Sequence, residues 1–384
     1  MPGFELIGKE EQEEVNDVFK SGGVLFRHGF EDKRNNCFKV IKFEEMFKKK
    51  IGSKYALAVT SGTAALRVAL ATLNLKPSDE VITQAFTFVA TVEAIIESKA
   101  KPIISEIDET LNMDPEDLEK KINKNTKAVI VVHMLGTPCN IFKIKQICRK
   151  YNLILIEDTA WGIGATIKNK KLGTIGDIGT YSFDFAKTIT TGEGGMIVFK
   201  DKKKFRFASA WHDHGHENNP KVPRWEDTRS SSGFNYRMTE LQAAVGIAQL
   251  KKLGFILKSH RKNKKKIMNK IKKFENITLR KCPSGSNDSA EALIFLTSDN
   301  KTALKVRNAL LNEGLSTKIL PEATTWHFAK KWLHMKELRL THKRKSFLKK
   351  SENLLGRCVS IPINVKMNEK VPNKIRIALE KSLY

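Results

Sequence analysis

The most informative part of the sequence is the stretch GDIGTYSFDFAKTITTGEGGMIV, residues 176–198. Its one lysine, Lys187, stands between an aromatic strand-like run, TYSF, and a glycine-rich turn, GEGG, which leads into a second apolar run. This pattern predicts an amine at the end of a strand, inside the fold. A nucleophilic lysine needs such a place, because partial desolvation lowers its pKa and makes free amine available.

The segment LILIEDTAWGIGA, residues 153–165, favours a reactive Lys187 over an ordinary surface lysine. Its first part is a short apolar run that ends in two acids, Glu157 and Asp158. Such a run is typical of a buried parallel strand, and the acids would stand at its carboxyl end. Because open α/β sheets bind their ligands at that end, we expect an acid near the ligand.

A phosphate site is predicted by YALAVTSGTAALRVALATL, residues 55–73. A strand, ALAVT, runs into Ser61, Gly62 and Thr63, and an alanine-rich helix follows. These three residues would therefore lie at a helix N-terminus, where free amides, hydroxyls and the helix dipole favour a phosphate.

A phosphate cradle, an acid at a strand end and a buried lysine together suit pyridoxal 5′-phosphate. The lysine would form an imine with the cofactor's aldehyde. The acid would keep the pyridine nitrogen protonated, which makes the ring an electron sink, and the helix end would hold the phosphate. Each feature is common alone, but the ordered set of three is not.

The sequence resembles the DegT/DnrJ/EryC1/StrS aminotransferases, pyridoxal-phosphate enzymes that mostly act on keto-sugars. The motifs SGTAAL, EDTA, SFDFAKTITTGEGGM and FNYRMTELQAAVGIAQL follow the family's order and spacing, from about Phe4 into the last quarter of the chain. The resemblance implies an α/β chain of the fold type I pyridoxal-phosphate transferases. We expect a large domain over residues 1–255 with a mainly parallel sheet, and a smaller C-terminal α/β domain over 256–384. A helix within residues 1–22 would pack toward the small domain.

Single elements are predicted from local patterns. The short apolar runs predict seven strands of the large domain: ALAVT, EVITQ, KPIIS, AVIVVHM, LILIE, TYSF and MIVF. Residues 38–51 predict an amphipathic helix, and Thr239 would cap the helix that follows FNYR. In the C-terminal part, LIFLTS and CVSIPI predict strands, TALKVRNALLNEG predicts a helix closed by Gly314, and THKRKSFLKKSENLLGR predicts a basic helix.

The resemblance also implies roles for single residues. Lys187 would be the Schiff-base lysine and Asp158 the partner of the pyridinium nitrogen. Phe88 would lie against the cofactor ring, and Asn235 would reach the phosphate bound by a neighbouring subunit, which implies a homodimer. The residues expected to bind the cofactor are Gly62, Thr63, Ala64, Phe88, Asp158, Trp161, Ser182, Lys187 and Asn235.

Trp161 departs from the family pattern, because many members carry Gln or His at this position. A tryptophan there could stack or donate its indole N–H, so the usual role is not transferred to it.

Four segments resemble one subgroup, the transaminases that form 8-amino-3,8-dideoxy-manno-octulosonate for lipopolysaccharide: MPGFELIGKEE, GGVLFRHGF, SFDFAKTIT and TKILPEATTWHFA. The predicted reaction moves an amine from an amino acid, with glutamate as the expected donor, to an aldehyde or keto sugar. Two alternatives lie in the same family: an aminotransferase for nucleotide-linked keto-hexoses of surface polysaccharide, and a sugar dehydratase. Known dehydratases of the family replace the lysine by histidine, so Lys187 argues against a dehydratase.

The charge of the chain raises a rival class of function. The 384 residues include 68 Lys and Arg against 42 Asp and Glu, a formal net charge of +26. The basic residues are mostly lysines spread without interleaved aromatics, so we prefer solvated lysines to a nucleic-acid-binding protein. The charge would also suit an anionic substrate.

Cysteine usage and hydropathy predict a cytoplasmic protein. The five cysteines are scattered and form no CxxC pair, which is typical of reduced thiols. The N-terminus is polar and acidic rather than signal-like, and no apolar run is long enough to cross a bilayer.

Several histidines are candidates for other roles. His133, at a strand end, could face the cofactor, although a satisfied buried histidine is the preferred interpretation. His212, His214 and His216 alternate in a loop before Asn-Asn-Pro; no cysteine or acidic cluster completes a metal site there, so no metal is expected.

Three further segments are open to two interpretations each. Arg27 and His28 could line the substrate entrance or form a connector with a solvated arginine. The basic stretch 257–273 is interpreted as a solvated helix that links the domains, with a nucleic-acid contact as the alternative. Trp326 and His327 could close over the sugar or pack between domains.

Overall fold

Short strands and helices alternate along the chain in a computed structural model that describes residues 3–219, 221–338 and 346–384. The strands are β1 (Tyr55–Val59), β2 (Glu80–Gln84), β3 (Lys101–Ser105), β4 (Thr126–Val132), β5 (Ile154–Asp158), β6 (Thr166–Ile167), β7 (Lys170–Lys171), β8 (Ile178–Ser182), β9 (Gly195–Phe199), β10 (Thr278–Leu279), β11 (Ser286–Asn287), β12 (Ala292–Leu296) and β13 (Cys358–Pro362).

Eleven α-helices are seen in the described residues, and those of the large part of the chain lie on both faces of its sheet. They are α1 (Lys9–Lys20), α2 (Lys39–Ile51), α3 (Gly62–Ala71), α4 (Val89–Glu97), α5 (Pro115–Lys121), α6 (Ile141–Lys150), α7 (Lys202–Trp211), α8 (Glu240–Ile271), α9 (Asn300–Asn312), α10 (Lys349–Gly356) and α11 (Val371–Leu383). No helix among these described residues is both long and apolar enough to cross a membrane.

The central sheet has seven strands in the order β1-β9-β8-β5-β4-β2-β3. β9 runs antiparallel to both of its neighbours, and the remaining pairs are parallel. All seven strands were predicted from short apolar runs, and the predicted mainly parallel α/β fold is confirmed. The carboxyl ends of β5 and β8 meet at one edge, because these two strands are parallel neighbours.

Alternate residues of β1 explain why the sheet needs helices on both sides. Leu57 and Val59 belong to the apolar cluster that includes α3, whereas Ala56 and Ala58 belong to the cluster with α2 and α8. Side chains alternate between the two faces of a strand, so a strand that is apolar at every position is buried on both faces.

Helix α2 confirms the amphipathic pattern predicted for residues 38–51. Val40, Phe43 and Phe47 are fully buried, and the Phe47 ring meets Tyr181 of β8 with the centroids 4.9 Å apart. This stripe fastens α2 beneath the strand that leads to Lys187.

Helix α1 packs on the first half of α8. Its Glu11 accepts hydrogen bonds from the Gln249 side chain at 2.9 Å and from Lys252 Nζ at 2.8 Å. Just before α1, the Glu5 carboxylate accepts from the Lys366 amide at 2.8 Å. The N-terminal segment thus contacts both the large part of the chain and its C-terminal part.

Helix α8 is one continuous helix of 32 residues. It starts with the predicted Thr239 cap, since the Thr239 hydroxyl and the Gln242 side chain form a capping box. The domain boundary placed between residues 255 and 256 falls inside this helix. The description of its basic half as a solvated linker was wrong, because Leu257, His260 and other residues of one face are buried.

The C-terminal part contains a three-stranded antiparallel sheet in the order β10-β12-β13. The predicted strands LIFLTS and CVSIPI form its centre, and the predicted helix α9 ends before Gly314, which has a left-handed φ of 72°. The basic helix predicted over THKRKSFLKKSENLLGR is seen only as α10; residues 341–345 of that prediction lie outside the described residues.

Arg27 is not the solvated residue of one interpretation, and it does not line the central cavity. It is 6% exposed and pairs with Glu44 through Nη2 at 3.0 Å, and Nη1 lies 3.2 Å from His212 Nε2. Glu44 also accepts from the Ala58 amide of β1 at 2.7 Å. Arg27 therefore fastens the segment before α2 to the sheet.

Candidate active site

A cavity of about 700 Å³ lies at the carboxyl ends of β5 and β8. Seven of the nine residues predicted to bind the cofactor line it: Gly62, Thr63, Phe88, Asp158, Trp161, Ser182 and Lys187. Ala64 lies directly behind Thr63 in α3 and is buried. Asn235 is exposed and lies outside the cavity of its own chain, paired with Asp213 in an isolated bridge.

Lys187 follows β8 in a tight turn, in which its amide donates to the Asp184 carbonyl at 3.0 Å. The side chain turns into the cavity, and Nζ lies 3.3 Å from the centroid of the Trp161 ring. Burial lowers the pKa of Lys187 to about 8, although the carboxylates of Glu291, Asp184 and Asp158 act in the opposite direction. About a tenth of the amine is then unprotonated at pH 7, far more than for an ordinary lysine.

Trp161 forms the wall against which Lys187 lies. The ring is 7% exposed, and a second amine, Lys318 Nζ, lies 4.8 Å from its centroid. A cation over an indole face is attracted by the ring quadrupole. The departure from the family pattern thus gives the lysine an aromatic surface in place of a polar side chain.

Asp158 ends β5 with its carboxyl group in the cavity. Its Oδ1 accepts from the Ala160 amide at 3.1 Å, and its Oδ2 accepts from the Thr91 hydroxyl at 3.2 Å. Burial raises the pKa of Asp158, and these two donors and the charge of Lys187 only partly offset it. A buried carboxyl with a raised pKa gains from a cationic partner, such as a protonated ring nitrogen.

The start of α3 and the end of β8 form a narrow cradle. Gly62 lies so close to β8 that an added Cβ would come within 2.7 Å of Ser182 Cβ, so only glycine fits there. The Ser61 hydroxyl caps α3 by accepting from the Ala64 amide at 3.0 Å. The Ala64 amide expected to hold a phosphate is therefore already hydrogen-bonded, whereas Thr63 and Ser182 face the cavity.

An aromatic insert covers one side of the cavity. The Phe88 ring is parallel to that of Trp326, with centroids 6.1 Å apart, and lies 5.4 Å from the His327 ring. His327 lines the cavity beside Trp161, and burial lowers its pKa to about 4. His327 lines the cavity, whereas Trp326 is exposed, and the following Phe328 pairs with Phe86, so both interpretations of this insert stay open.

His133 does not face the cavity. It is fully buried, its Nε2 lies 3.0 Å from Glu157 Oε2, and its Nδ1 accepts from the Cys139 amide at 3.2 Å. The preferred interpretation of a satisfied histidine agrees with these bonds. Glu157 points to the opposite face of β5 from Asp158 and also accepts from the amides of Gly173, Ile175 and Gly176.

We expect Glu157→Gln to destabilise the protein by about 3 kcal/mol, because it breaks a buried charged network that closes the loop before β8. Burial favours the neutral form of Glu157, but His133 and the Gly176 and Gly173 amides lower its pKa overall. The stabilisation is therefore present above pH about 4.3 and is lost as the pH falls below that value. Urea denaturation at pH 7 and pH 4 measures it; equal loss at both values would contradict the assignment.

The three alternating histidines contact different groups. His212 Nδ1 lies 2.6 Å from the Ser209 carbonyl, His216 Nδ1 lies 3.2 Å from Asp227, and His214 is exposed. Across the described residues, no three His, Cys, Asp or Glu side chains are placed to hold a metal ion.

Sequence reasoning missed three residues of the cavity region. Thr91 supports Asp158 from α4, Lys318 enters from the C-terminal part, and Glu291 lies 3.6 Å from Lys318. Lys318 lies in the subgroup motif TKILPEATTWHFA, but no role was assigned to it. No signature was recognised at Thr91, and for Glu291 the signal was an acid inside the apolar run SAEALIF.

A family profile, the DegT/DnrJ/EryC1/StrS aminotransferase family, matches residues 5–379. The chain belongs to this family. An uncharacterised protein of Methanocaldococcus jannaschii is 36% identical over 96% of this chain and 94% of its own length. The GDP-perosamine synthase of Vibrio cholerae is 38% identical over 65% of each chain, so the match spans just under two thirds of that enzyme.

The solved structures agree with this family. An aminotransferase from Psychrobacter cryohalolentis superposes with a TM-score of 0.87 at 26% identity, covering 99% of this chain and 98% of the other. The DegT/DnrJ/EryC1/StrS aminotransferases are pyridoxal-phosphate enzymes. The predicted family, fold type and cofactor are therefore confirmed, whereas closeness to the octulosonate subgroup is not shown.

The cavity suits this cofactor on its own chemistry. A lysine with a lowered pKa, a buried carboxyl that gains from a cation, and a glycine-bounded cradle with two hydroxyls lie around one space. These match the aldehyde, the pyridine nitrogen and the phosphate of pyridoxal phosphate.

Proposed function

We propose that this protein is an aminotransferase that moves an amine from an amino acid, glutamate first among candidates, to a keto or aldehyde sugar. The observation that carries the proposal is the partly buried Lys187 amine, held against Trp161 in the same cavity as Asp158. A family dehydratase would need a different residue in place of this lysine.

The residues of the cavity would have separate roles in holding the cofactor and moving protons. Lys187 would hold the cofactor covalently between turnovers and then move a proton at the substrate Cα, which a pKa of about 8 allows near neutral pH. Asp158 would orient the pyridine nitrogen and keep it protonated, supported by Thr91. Gly62, Thr63 and Ser182 would hold the phosphate. Bound pyridoxal phosphate supplies an electron sink for the carbon that bears the amine.

The aromatic insert would limit water in the cavity. Phe88, Trp326 and His327 pack on each other at the side facing the C-terminal part. Because burial keeps His327 neutral near pH 7, it adds no charge beside Lys187. It could serve there as a hydrogen-bonding group for a sugar hydroxyl.

Within this function, we propose the octulosonate 8-aldehyde as the acceptor, which the subgroup motifs support. A nucleotide-linked keto-hexose is the competing acceptor, and its support is the similarity to GDP-perosamine synthases. The net charge of +26 suits either anionic sugar. The homodimer, with Asn235 reaching the partner's phosphate, and the domain limits stay predictions.

The proposal is tested by product analysis. Purified protein with pyridoxal phosphate and glutamate is given each sugar class in turn, and the products are weighed by mass spectrometry. We expect a product in which one carbonyl oxygen is replaced by an amine, with one 2-oxoglutarate formed per turnover. Loss of water from the sugar without 2-oxoglutarate would show a dehydratase instead. Salt-dependent RNA or DNA binding with no amination of either sugar would support the nucleic-acid class.

A further inference from the structure

Lys318 places a second amine in the cavity wall, and no described residue accepts a hydrogen bond from it. The side chain is 7% exposed, and Nζ is buried without a hydrogen-bond partner. Its nearest acid is Glu291, whose Oε1 is 3.6 Å away, within ion-pair distance but longer than a hydrogen bond. An ammonium group has three protons to donate, so Lys318 has unused capacity for a ligand.

The position of Lys318 is fixed by its main chain. Its amide donates to the Ser360 carbonyl at 2.8 Å, and its carbonyl accepts from the Leu320 amide at 2.9 Å, which ties the residue to β13. Lys318 Nζ lies 4.8 Å from the centroid of the Trp161 ring, and Lys187 Nζ lies 3.3 Å from the same centroid. The two amines therefore lie at the same indole ring, and, besides burial, the charge of Lys318 contributes to the lowered pKa of Lys187.

The buried acid Glu291 does not fully neutralise the two amines near it, so an additional anion would be favourable there. Glu291 is fully buried, and its Oε2 accepts from the Thr188 hydroxyl at 3.4 Å. Burial raises the pKa of Glu291, and the two lysines offset this only in part. One buried carboxylate thus interacts electrostatically with two amines. A buried cation without a full partner costs free energy.

We propose that Lys318 binds a carboxylate of the substrate next to the reacting nitrogen, on the side of the cavity lined by Ser316 and Thr317. This deepens the proposed function and rests on it. Every amino-acid donor carries a carboxylate on the carbon that bears its amine, and a sugar acid carries one too. The shared chemistry is a carboxylate, and the two sources are separated by experiment.

The donor arm uses the first half-reaction, followed by the absorbance change of the bound cofactor in a single turnover. Glutamate is compared with its two amides, isoglutamine and glutamine, in the wild type and in Lys318→Met. We expect the variant to need about 10- to 100-fold more glutamate, the effect of losing one charge-assisted hydrogen bond. The variant should lose its preference for glutamate over one of the two amides. Its maximal rate should change less than the glutamate concentration it needs.

The sugar arm measures equilibrium binding by calorimetry and needs no turnover. The probes are 3-deoxy-manno-octulosonate and its methyl ester, with glutarate as the probe for the donor carboxylate. A loss of affinity in Lys318→Met for glutarate alone assigns the contact to the donor. A loss for the sugar acid alone, absent for its ester, assigns it to the acceptor.

Matched variants separate binding from folding. Lys318→Arg keeps a cation and should retain most of the carboxylate preference. Lys305→Met makes the same charge change at an exposed position of α9 and should leave every readout unchanged. If Lys318→Met does not fold, Lys318→Met with Glu291→Gln removes both buried charges and is tested in its place.

The inference is overturned if these variants bind glutarate and the sugar acid as the wild type does and keep the preference for glutamate over both amides. A wild type that is silent with every amino acid would instead count against the proposed function. In that case the calorimetric arm still decides the role of Lys318.

Discussion

Lys187→Ala will leave the protein folded but will reduce transamination by about 10⁴-fold. The variant loses both the covalent link to the cofactor and the base that moves a proton at the substrate Cα. Thr63, Ser182 and Asp158 remain, so we expect pyridoxal phosphate still to bind, with a shifted absorption band. Single-turnover rates with glutamate and the absorption spectrum measure the two effects.

Two controls show whether the loss belongs to the amine at this place. Lys187→Arg keeps a cation over Trp161, but a guanidinium does not lose its proton near pH 7, so it should be as inactive as alanine. Lys203→Ala removes an exposed lysine of α7 and should be fully active. Activity of Lys187→Ala within tenfold of the wild type would remove Lys187 from the mechanism.

Asp158→Asn will lower the rate by roughly 10²- to 10³-fold while leaving the cofactor-free protein as stable as the wild type or more so. The amide cannot keep the pyridine nitrogen protonated, so the ring becomes a weaker electron sink. Stability moves the other way, because burial raises the pKa of Asp158 and the ionised carboxyl therefore costs free energy at pH 7. Thermal unfolding without cofactor, at pH 7 and pH 4, measures that cost.

The sign of this pH effect distinguishes Asp158 from Glu157. The wild-type penalty should develop as the pH rises above about 3.9, the usual pKa of an aspartate, and should be complete above the raised pKa of Asp158; it should be absent in Asp158→Asn. Thr91→Val removes only the hydroxyl that donates to Asp158 Oδ2, so its rate should fall by about 5- to 10-fold. A Thr91→Val defect as large as that of Asp158→Asn would mean that Thr91 acts on the substrate directly.

The sequence predicted the sheet and most of the site because both depend on local patterns. A strand buried on two faces is largely apolar, and ligand residues lie at or soon after the carboxyl ends of such strands. Asp158 is the last residue of β5, and Lys187 lies in the turn that follows β8. The N-terminus of α3 has an equally local signature in Ser61 and Gly62. These patterns are visible in a single sequence.

Contacts between distant segments were not predictable in the same way. Lys318 reaches the cavity only because its main chain pairs with β13. A solvated Arg27 was one of two interpretations, but the residue forms a buried ion pair with Glu44. A charged residue shows its burial only through its partner, which periodicity along one segment does not reveal.

The boundary expected between residues 255 and 256 lies inside α8, and the domain limits stay a prediction. The basic stretch that follows was interpreted as a solvated linking helix, because a single sequence does not show which face of such a helix is buried. In the structure, a Cβ at Gly254 would meet nothing within 4 Å, so this glycine lies on an open face and does not interrupt the helix. The basic residues cover one side of a helix whose other side is apolar.

Because α8 is continuous, the direction in which the buried face of its second half points is fixed relative to the buried face of its first half. Each residue turns the helix by about 100° and advances it by about 1.5 Å, so one residue inserted after Gly254 would swing the stripe that begins at Leu257 away from its neighbours. Insertions of seven or eleven residues nearly restore this direction. Length variation among relatives should therefore fall in the loops around α8, or come inside it only in such steps.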